Sequence, residues 1–417
     1  MSKKENYVWD LESNQLPTLE PHSQAKHKIL ADYLKRYIST LYDTNARRVG
    51  ESNPKLTIVD GFAGGGVYHE SKWGSPFVLL RAVKEAEFEI NRGRTNPIVI
   101  DANFFFVEKN ESNLEYLRYS LKKNGYASDF DQTIFLMKGD FNSYASSIIE
   151  NIQKRNPRSG RAVFFLDQTG YTDVKPNVLR YIVQKLPNAE VIVNIAIAWF
   201  IDFLSFEKES EFKSIINNMG LLSHLNIREL IEIKEQKGNS WRFIIESKLS
   251  VALKNAIGVN FFTPFFIEPL AHHRGYWLLH LARHQRARSV MLDVHWDHGN
   301  DFTHCGGMGM GCLAYKPQMD YPLFKFNQDF RQQTIDVLAE DISKVVSDQY
   351  PDGITVEQLI QLKCNDTVAN NDIFKESVLS CREQNGLEVR GKKGGNKTSQ
   401  TINNQDILLP KRQLILF

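Results

Sequence analysis

The feature that most constrains the fold is a series of short apolar segments that alternate with segments of helical periodicity. The strand candidates are LTIVD (56–60), NFFFVE (103–108), TIFLMK (133–138), AVFFLD (162–167) and EVIVNI (190–195). The helical candidates between and after them are Ser75–Ile90, Ser112–Asn124, Tyr144–Arg155 and Pro176–Lys185. Strands that are apolar on both faces and alternate with helices are typical of a parallel sheet covered on both sides. The sequence therefore predicts an α/β protein with a doubly wound, mostly parallel sheet.

The chain divides by pattern into an arm and two domains. Residues 1–20 lack periodicity and are interpreted as an N-terminal arm, and the α/β domain is expected over residues 21–325. Within that domain, the runs at 261–268 and 275–282 predict an antiparallel hairpin that closes one edge of the sheet. Residues 328–417 predict three helices followed by a hairpin, which is the order of a winged helix.

A helix precedes the first strand. Apolar residues recur at three- and four-residue spacing over residues 22–42, with Pro21 where a helix tolerates proline. The polar side of this helix carries His22, Lys26 and His27. Two interpretations stay open: a solvated face, or a lid over the crevice with Lys26 near a carboxylate.

The composition excludes several classes of protein. The 417 residues are 42% hydrophobic, and 51 Lys and Arg nearly balance 49 Asp and Glu, as in an ordinary globular chain. The longest apolar run, residues 191–201, is far shorter than the ~20 residues that span a bilayer, and the N-terminus has no signal-peptide core. Four cysteines do not make a disulfide scaffold in a chain of this length, so we expect a cytoplasmic protein without membrane association.

The most specific motif is VDGFAGGGVY (59–68), in which a strand ends at Asp60 and a glycine-rich turn follows. Because Gly61, Gly64 and Gly66 have no Cβ, the backbone amides of the turn can approach a ligand closely. The spacing differs from the GxGxxG of dinucleotide sites, which leaves a cofactor held through its carboxylate and ribose. The alternative is a sharp strand-to-helix turn that binds no ligand.

Acidic residues lie at or just after the ends of four predicted strands: Asp60, Glu108, Asp140 and Asp167. In an open parallel sheet the carboxyl ends of the strands line the ligand crevice. A carboxylate there can accept hydrogen bonds from ribose hydroxyls, an adenine amino group or a substrate. One such acid is as readily a helix cap, but four in succession predict a binding site.

The sequence resembles class I S-adenosylmethionine-dependent methyltransferases and, more narrowly, the three-Cys-motif partner (TcmP) family. The matching segments are VWDLE (8–12), PHSQAKHKILADYLKRY (21–37), VDGFAGGGVY (59–68), GSP (74–76), FFLDQTGY (164–171) and GYWLLHLARHQRARSVMLDVHW (275–296). The resemblance implies a Rossmann-like methyltransferase domain and S-adenosyl-L-methionine as the cofactor. It also implies a partner with a three-cysteine motif that is similar to radical-SAM or iron–sulfur proteins.

Carried over to this chain, the resemblance implies individual roles. The residues around the methionine part of the cofactor would be Asp60, Gly61, Phe62, Gly64 and Gly66. Glu108 would meet the ribose, and Asp140 with Phe141 would meet the adenine. Asp167 would lie where the methyl acceptor enters, as a base or as a group that orients an amine. Tyr171 is the second candidate catalytic residue.

The chain departs from the family after the fourth predicted strand. The family commonly has Asp-Pro-aromatic-Gly there, whereas residues 167–171 read DQTGY. We expect methyl transfer to a nucleic acid or to a partner-associated substrate. The departure favours an alternative, a non-catalytic scaffold for the three-cysteine partner. A metal-dependent nuclease is a weaker alternative.

Histidines cluster late in the α/β domain, where seven of the eleven lie between His272 and His304, followed by Cys305 and Cys312. They lack the ligand spacing of a zinc motif, so we expect no metal site and interpret His280 as packed on a strand face.

A basic turn lies near the end of the chain. Residues 386–417 hold six Lys and Arg against Glu388 and Asp406. The lysines of the turn, Lys392, Lys393 and Lys397, are predicted to contact DNA or RNA. The alternatives are a solvated loop and a contact with another protein.

Overall fold

A computed structural model gives the bounds of the helices and strands. It describes residues 7–12, 16–45, 55–157, 160–168, 170, 173–236, 241–269, 276–299, 302–303, 309–310 and 326–411. The helices are α1 (Pro21–Asn45), α2 (Ser75–Ile90), α3 (Glu111–Lys123), α4 (Phe141–Arg155), α5 (Pro176–Lys185), α6 (Ile197–Phe203), α7 (Glu209–Asn218), α8 (Ile227–Glu235), α9 (Trp241–Ile257), α10 (Gln285–His298), α11 (Gln328–Gln349), α12 (Val356–Lys363) and α13 (Asn371–Glu383). The strands are β1 (Lys55–Asp60), β2 (Asp101–Glu108), β3 (Ile134–Lys138), β4 (Ala162–Leu166), β5 (Ala189–Ile195), β6 (Phe261–Pro269), β7 (Tyr276–Ala282), β8 (Phe302–Thr303), β9 (Ile354–Thr355), β10 (Leu387–Arg390) and β11 (Ile407–Pro410). Among these described helices, none is long and apolar enough to cross a membrane.

The chain forms two compact units. The first comprises Met1–Glu229, Ser250–Phe265 and Arg274–Val290. The second comprises Leu230–Leu249, Phe266–His273 and Met291–Phe417. The domain boundary that the sequence places between residues 325 and 328 stays a prediction.

The larger sheet is mostly parallel, and its described strands have the order β3-β2-β1-β4-β5-β7-β6-β8. Strand β1 pairs in parallel with β2 on one side and with β4 on the other, while β7 runs antiparallel to β5. Every residue of β4 and β5 is buried, as expected for strands covered on both faces. The predicted α/β class with a mostly parallel sheet is therefore confirmed.

The predicted elements of the first unit agree closely with the observed ones. Strands β1 to β5 each lie within two residues of the expected bounds, and α2 and α5 begin and end where predicted. The helix predicted over residues 22–42 is α1, which packs against α2. Helices α6 to α10 are not predicted by the apolar pattern of the sequence. In α9, for example, apolar residues are distributed around the whole helix, so no single apolar face predicts it.

The second unit contains α11, α12 and α13, followed by β10 and β11, which pair with β9 in an antiparallel sheet of order β10-β11-β9. The residue before each of these helices caps it, because its side chain accepts a hydrogen bond from the backbone N–H three positions on: Asn327, Thr355 and Asn370. These caps satisfy amides that have no partner within the helix. Helix starts at such residues can therefore be predicted from the local sequence.

We expect Thr355→Ala to lower the free energy of unfolding by about 1 kcal/mol. Thr355 and Gln358 form a reciprocal capping box at the start of α12, and alanine removes both side-chain hydrogen bonds of the threonine. Chemical denaturation measures the change. Thr398→Ala, at an exposed loop position of the same unit, is the control and should change the stability little. Equal losses in both variants would contradict the capping role.

Candidate functional site

The four predicted acids gather along one edge of the sheet. Asp60 ends β1 and Glu108 ends β2, and Asp167 follows the last residue of β4. These three strands are neighbours in parallel register, so their carboxyl ends lie side by side. Asp140 follows β3, which neighbours β2. The arrangement matches the crevice expected for an open parallel sheet.

Asp60 is the most buried of these acids, with no exposed surface. Its Oδ1 accepts a hydrogen bond of 3.1 Å from the backbone N–H of Phe62, while Oδ2 receives no hydrogen bond of normal geometry from the described residues. Burial raises the pKa of Asp60 from 3.8 to about 7, and the charges of Asp167 and Glu108 act in the same direction. The Ser75 hydroxyl and the Phe62 amide oppose this rise in pKa.

Glu108 connects the glycine turn to the start of α3. Its Oε2 accepts from the backbone N–H of Gly64 at 2.9 Å, and its Oε1 accepts from the backbone N–H of Asn110 at 2.7 Å. The amide of Asn113 lies 3.5 Å from the same Oε1. This carboxylate therefore fixes the turn itself, and its contact with a ribose stays a prediction.

The glycine turn is tightly packed from behind. A Cβ at Gly61 would lie 2.6 Å from Leu166 and 3.1 Å from the ring of Phe141. Gly64 and Gly66 have φ values of +59° and +77°, which residues with a side chain rarely adopt. These constraints explain three of the glycines by close approach and backbone conformation, without reference to a ligand.

Trp9 covers the front of the turn, a contact that the sequence analysis missed. Its indole lies against Gly64 and Gly65, where a Cβ would collide with it. The side chain is 2% exposed, and its Nε1–H donates to the carbonyl oxygen of Val67. Residues 1–20 lack periodicity, so their sequence predicts an arm and no contact with the turn. The only signal in the arm was the VWDLE segment within the family resemblance.

Asp140 and Phe141 have clear structural roles. Asp140 caps α4, because its Oδ1 accepts from both the backbone N–H and the side-chain amide of Asn142 at 2.9 Å. Phe141 is 1% exposed and packs edge-on against Phe164. The helix-cap interpretation of Asp140 is thus what the structure shows. The predicted contact of both residues with an adenine is not tested.

Asp167 forms an ion pair with Lys26 of α1. The Nζ of Lys26 lies 2.5 Å from Oδ1 and 2.7 Å from Oδ2, and both side chains are mostly buried. The solvated-face interpretation of Lys26 and His27 is therefore wrong, since both residues are buried and Lys26 reaches the crevice acid. The periodicity of α1 could not show this, because the ion pair depends on where β4 ends.

Two further titratable groups surround the ion pair. Burial lowers the pKa of His27 to about 4, and Lys26 adds to this effect while Asp167 opposes it. Burial raises the pKa of the Tyr68 phenol, and the charge of Asp167 raises it further. At neutral pH both His27 and Tyr68 are therefore uncharged, so neither adds a charge next to the ion pair of Lys26 and Asp167.

The segment after β4 contains a fully buried glutamine, Gln168. The Oε1 of Gln168 accepts from the backbone N–H of Val174 at 2.9 Å, which ties the segment back on itself. Its Nε2 and the Oδ1 of Asn194 in β5 are buried without hydrogen bonds from the described residues. Tyr171, the second candidate catalytic residue, lies outside the described residues.

The lysines of the basic turn differ in their surroundings. Lys392 and Lys393 are exposed beside a surface groove of about 530 Å³. Lys397 instead forms an ion pair with the buried Asp406. The ion pair with Asp406 is thus enough to explain the position of Lys397. Whether any of the three contacts a nucleic acid is not tested.

His280 is packed, as expected. Its Nε2 lies 3.1 Å from the Tyr33 hydroxyl and 3.2 Å from Glu190 Oε2, and the ring is 1% exposed. Five other residues of the cluster lie outside the described residues: His272, His273, His304, Cys305 and Cys312. Among the described residues, no group of three or more His, Cys, Asp or Glu is arranged to hold a metal ion.

Comparison with known proteins gives structural similarities only. No known protein family and no curated sequence matches the chain. A methyltransferase from Geobacter sulfurreducens is 18% identical with a TM-score of 0.24, over 44% of this chain and 63% of its own. PKMT2 from Rickettsia typhi is 13% identical with a TM-score of 0.27, over 76% and 67%. Protein LPL1258 from Legionella pneumophila is 12% identical with a TM-score of 0.32, over 61% and 83%.

The chain thus spans 63% of the length of the Geobacter protein, and all three likenesses are weak. The fold assignment rests instead on the strand order. A mostly parallel sheet with the order β3-β2-β1-β4-β5-β7-β6 and an antiparallel β7 is typical of the methyltransferase fold.

The free energy of unfolding of the wild type should fall between about pH 4 and pH 7 because of Asp60. We expect Asp60→Asn to remove this fall. The raised pKa means that the folded state binds this proton more tightly than the unfolded state. The stabilisation is therefore complete below the unfolded pKa of 3.8 and is lost as the pH rises through about 7. Chemical denaturation across this range, read as the difference between variant and wild type, cancels the contribution of other groups.

Asp140→Asn is the matched control, because asparagine keeps the helix cap and Asp140 is partly exposed. It should not change the slope of stability with pH. The same slope in wild type and Asp60→Asn would show that Asp60 titrates normally.

Proposed function

We propose that this chain is an S-adenosyl-L-methionine-dependent methyltransferase that acts on a nucleic acid or on a substrate presented by a partner protein. One observation supports the proposal most. Asp60, Glu108 and Asp167 meet the glycine turn at the carboxyl edge of a sheet whose order is typical of methyltransferases. The resemblance to the TcmP family supports the same cofactor, and a three-cysteine-motif protein as partner.

The residues at the edge fit such a cofactor. Asp60 Oδ2 is buried without a hydrogen bond from the described residues and suits the ammonium of the methionine part. Glu108 accepts three short or moderate hydrogen bonds, and a carboxylate has about four lone-pair sites, so one remains for a ribose hydroxyl. When bound, the cofactor supplies an electrophilic methyl group on a sulfonium.

Asp167 is proposed to orient the methyl acceptor rather than to remove its proton. Both of its oxygens already accept from Lys26, which holds the carboxylate in one position. A fixed carboxylate can align a donor group, and alignment is the main requirement of an in-line transfer. Tyr171 remains the other candidate at the acceptor side.

The second unit is proposed to bind the nucleic acid. The order α11, β9, α12, α13, β10, β11 agrees with a winged helix, whose wing would be the hairpin of β10 and β11. Lys392 and Lys393 lie exposed in that wing, where they can meet phosphates without breaking an internal ion pair.

Calorimetric titration with S-adenosylmethionine and S-adenosylhomocysteine tests the cofactor. We expect binding in the micromolar range, and Asp60→Asn and Glu108→Gln should each weaken it by at least about tenfold, because each removes a charged acceptor. Glu115→Gln, exposed on α3, is the control. Absence of heat and of a thermal shift with the wild type at millimolar ligand would overturn the proposal for the isolated chain.

Fluorescence anisotropy with labelled DNA and RNA oligonucleotides tests the wing. Lys392→Gln and Lys393→Gln should each lower the slope of log affinity against log salt by about 0.7–0.9, because each removes one phosphate contact. Lys344→Gln, exposed on α11, carries the same charge change and should leave the slope unchanged. Equal slopes in all variants would remove the wing from the interface.

A scaffold without turnover is the second candidate function. The internal ion pair of Lys26 with Asp167 and the indole over the glycine turn both favour it, since each fills part of the crevice with the chain's own groups. If Asp60→Asn still co-purifies with a co-expressed three-cysteine-motif partner while wild type shows no cofactor binding, the scaffold is the better explanation.

A further inference from the structure

The N-terminal arm is attached to the glycine turn by specific hydrogen bonds. The backbone N–H of Trp9 donates to Asn113 Oδ1 at 3.1 Å, and the Asn113 amide donates to the carbonyl oxygen of Tyr7 at 3.2 Å. One asparagine side chain therefore brackets the arm on both sides of Val8. The indole Nε1–H is bonded to the carbonyl oxygen of Val67.

Aromatic contacts complete the attachment. Trp9 meets the ring of Tyr68 edge-on with centroids 5.0 Å apart, and Tyr7 stacks on Trp9 at 6.4 Å. Such pairs contribute beyond the apolar area that they bury. Residues 7 to 9 are thus held by packing as well as by hydrogen bonds.

The same asparagine also reaches the proposed ribose acceptor. The Asn113 amide lies 3.5 Å from Glu108 Oε1, and Glu108 Oε2 accepts from the Gly64 N–H. A continuous network therefore runs from Trp9 through Asn113 and Glu108 to Gly64, directly beneath the indole of Trp9. Each member of this network constrains the position of the next.

The turn is built to receive the indole. Gly64 and Gly65 are the two positions at which a Cβ would contact or collide with it. Both polar hydrogens of Trp9, the backbone N–H and the indole N–H, have acceptors. If the indole left the turn when a ligand arrived, the carbonyl oxygen of Val67 would lose the hydrogen bond from Nε1–H and the packing against the glycines would be lost, at a cost. The indole is therefore a fixed wall of the site.

We propose that residues 7–9 form an N-terminal strap that belongs to the cofactor site, with Trp9 and Asn113 as positioning residues for Glu108 and the glycine turn. This inference rests on the proposed function, since it concerns the same site. The strap fixes the carboxylate in the orientation that accepts the ribose hydroxyls. Without the strap, Asn113 loses the two backbone partners that hold its side chain beside Glu108, and the turn loses its front packing.

Binding of adenosine and of 2′,3′-dideoxyadenosine to the full chain, measured by calorimetry, tests the strap. The two ligands differ only in the ribose hydroxyls, so their affinity ratio reports on Glu108. We expect wild type to prefer adenosine by about tenfold, the value of one hydrogen bond to a charged group. Trp9→Ala and Asn113→Leu should reduce the ratio to about one, and Trp9→Phe, which keeps the ring, should retain part of the preference.

Trp296→Ala is the matched control, because the Trp296 indole N–H also donates to a backbone carbonyl, that of Val368, at 3.0 Å. It should leave the ratio unchanged even if it lowers stability by a similar amount. A purely structural effect of the strap would weaken both ligands equally, and this result would overturn the proposal. An unchanged ratio in Trp9→Ala and Asn113→Leu would overturn it as well.

Amide hydrogen exchange separates this proposal from the proposed function. The Gly64 N–H is bonded to Glu108, so its protection should fall in Asn113→Leu and Trp9→Ala but not in Trp296→Ala, with no ligand present. If wild type binds neither nucleoside, the proposed function fails together with the ribose role. Loss of Gly64 protection would then still establish the strap as the support of the turn, and unchanged protection would reject it.

Discussion

The buried carboxylate of Asp60 is the constraint on which the crevice depends. A carboxyl group without exposed surface at the end of a central strand is costly when ionised, and a raised pKa is the expected response. The chain provides only weak compensation, one backbone amide and a nearby hydroxyl, rather than a basic partner.

Charge is distributed unevenly along the edge. Of the three acids that end or follow neighbouring strands, Asp167 has the ammonium of Lys26, and Glu108 has backbone and amide donors. Asp60 has the least compensation. A bound group with a positive charge would therefore be drawn toward the β1 end of the crevice, while the β4 end is nearly neutral. The two ends of the crevice therefore differ in charge, which a count of acidic residues does not show.

Much of the fold could be predicted from the sequence because its signals are local. Strands β1 to β5 are apolar on both faces, and the cap at Thr355 lies within the segment that it starts. The gathering of acids followed from the rule that parallel strands end at one edge. The contacts of the site were not predictable in the same way. Lys26 and Asp167 are 141 positions apart, and Trp9 reaches a carbonyl 58 positions on, so neither pair leaves a periodic trace.

Helix α1 contacts the sheet at a second point besides Lys26, the side chain of Tyr33. Tyr33 lies seven residues beyond Lys26, about two helical turns or ~10 Å along the same face, and its hydroxyl contacts His280 of β7. The helix is therefore held at two points of the sheet, at Lys26 by Asp167 after β4 and at Tyr33 by His280 of β7. Because one helix carries both contacts, a displacement of β7 that α1 followed would also change the position of Lys26 relative to Asp167. Strand β7 lies two strands away from β4, yet it belongs mechanically to the site.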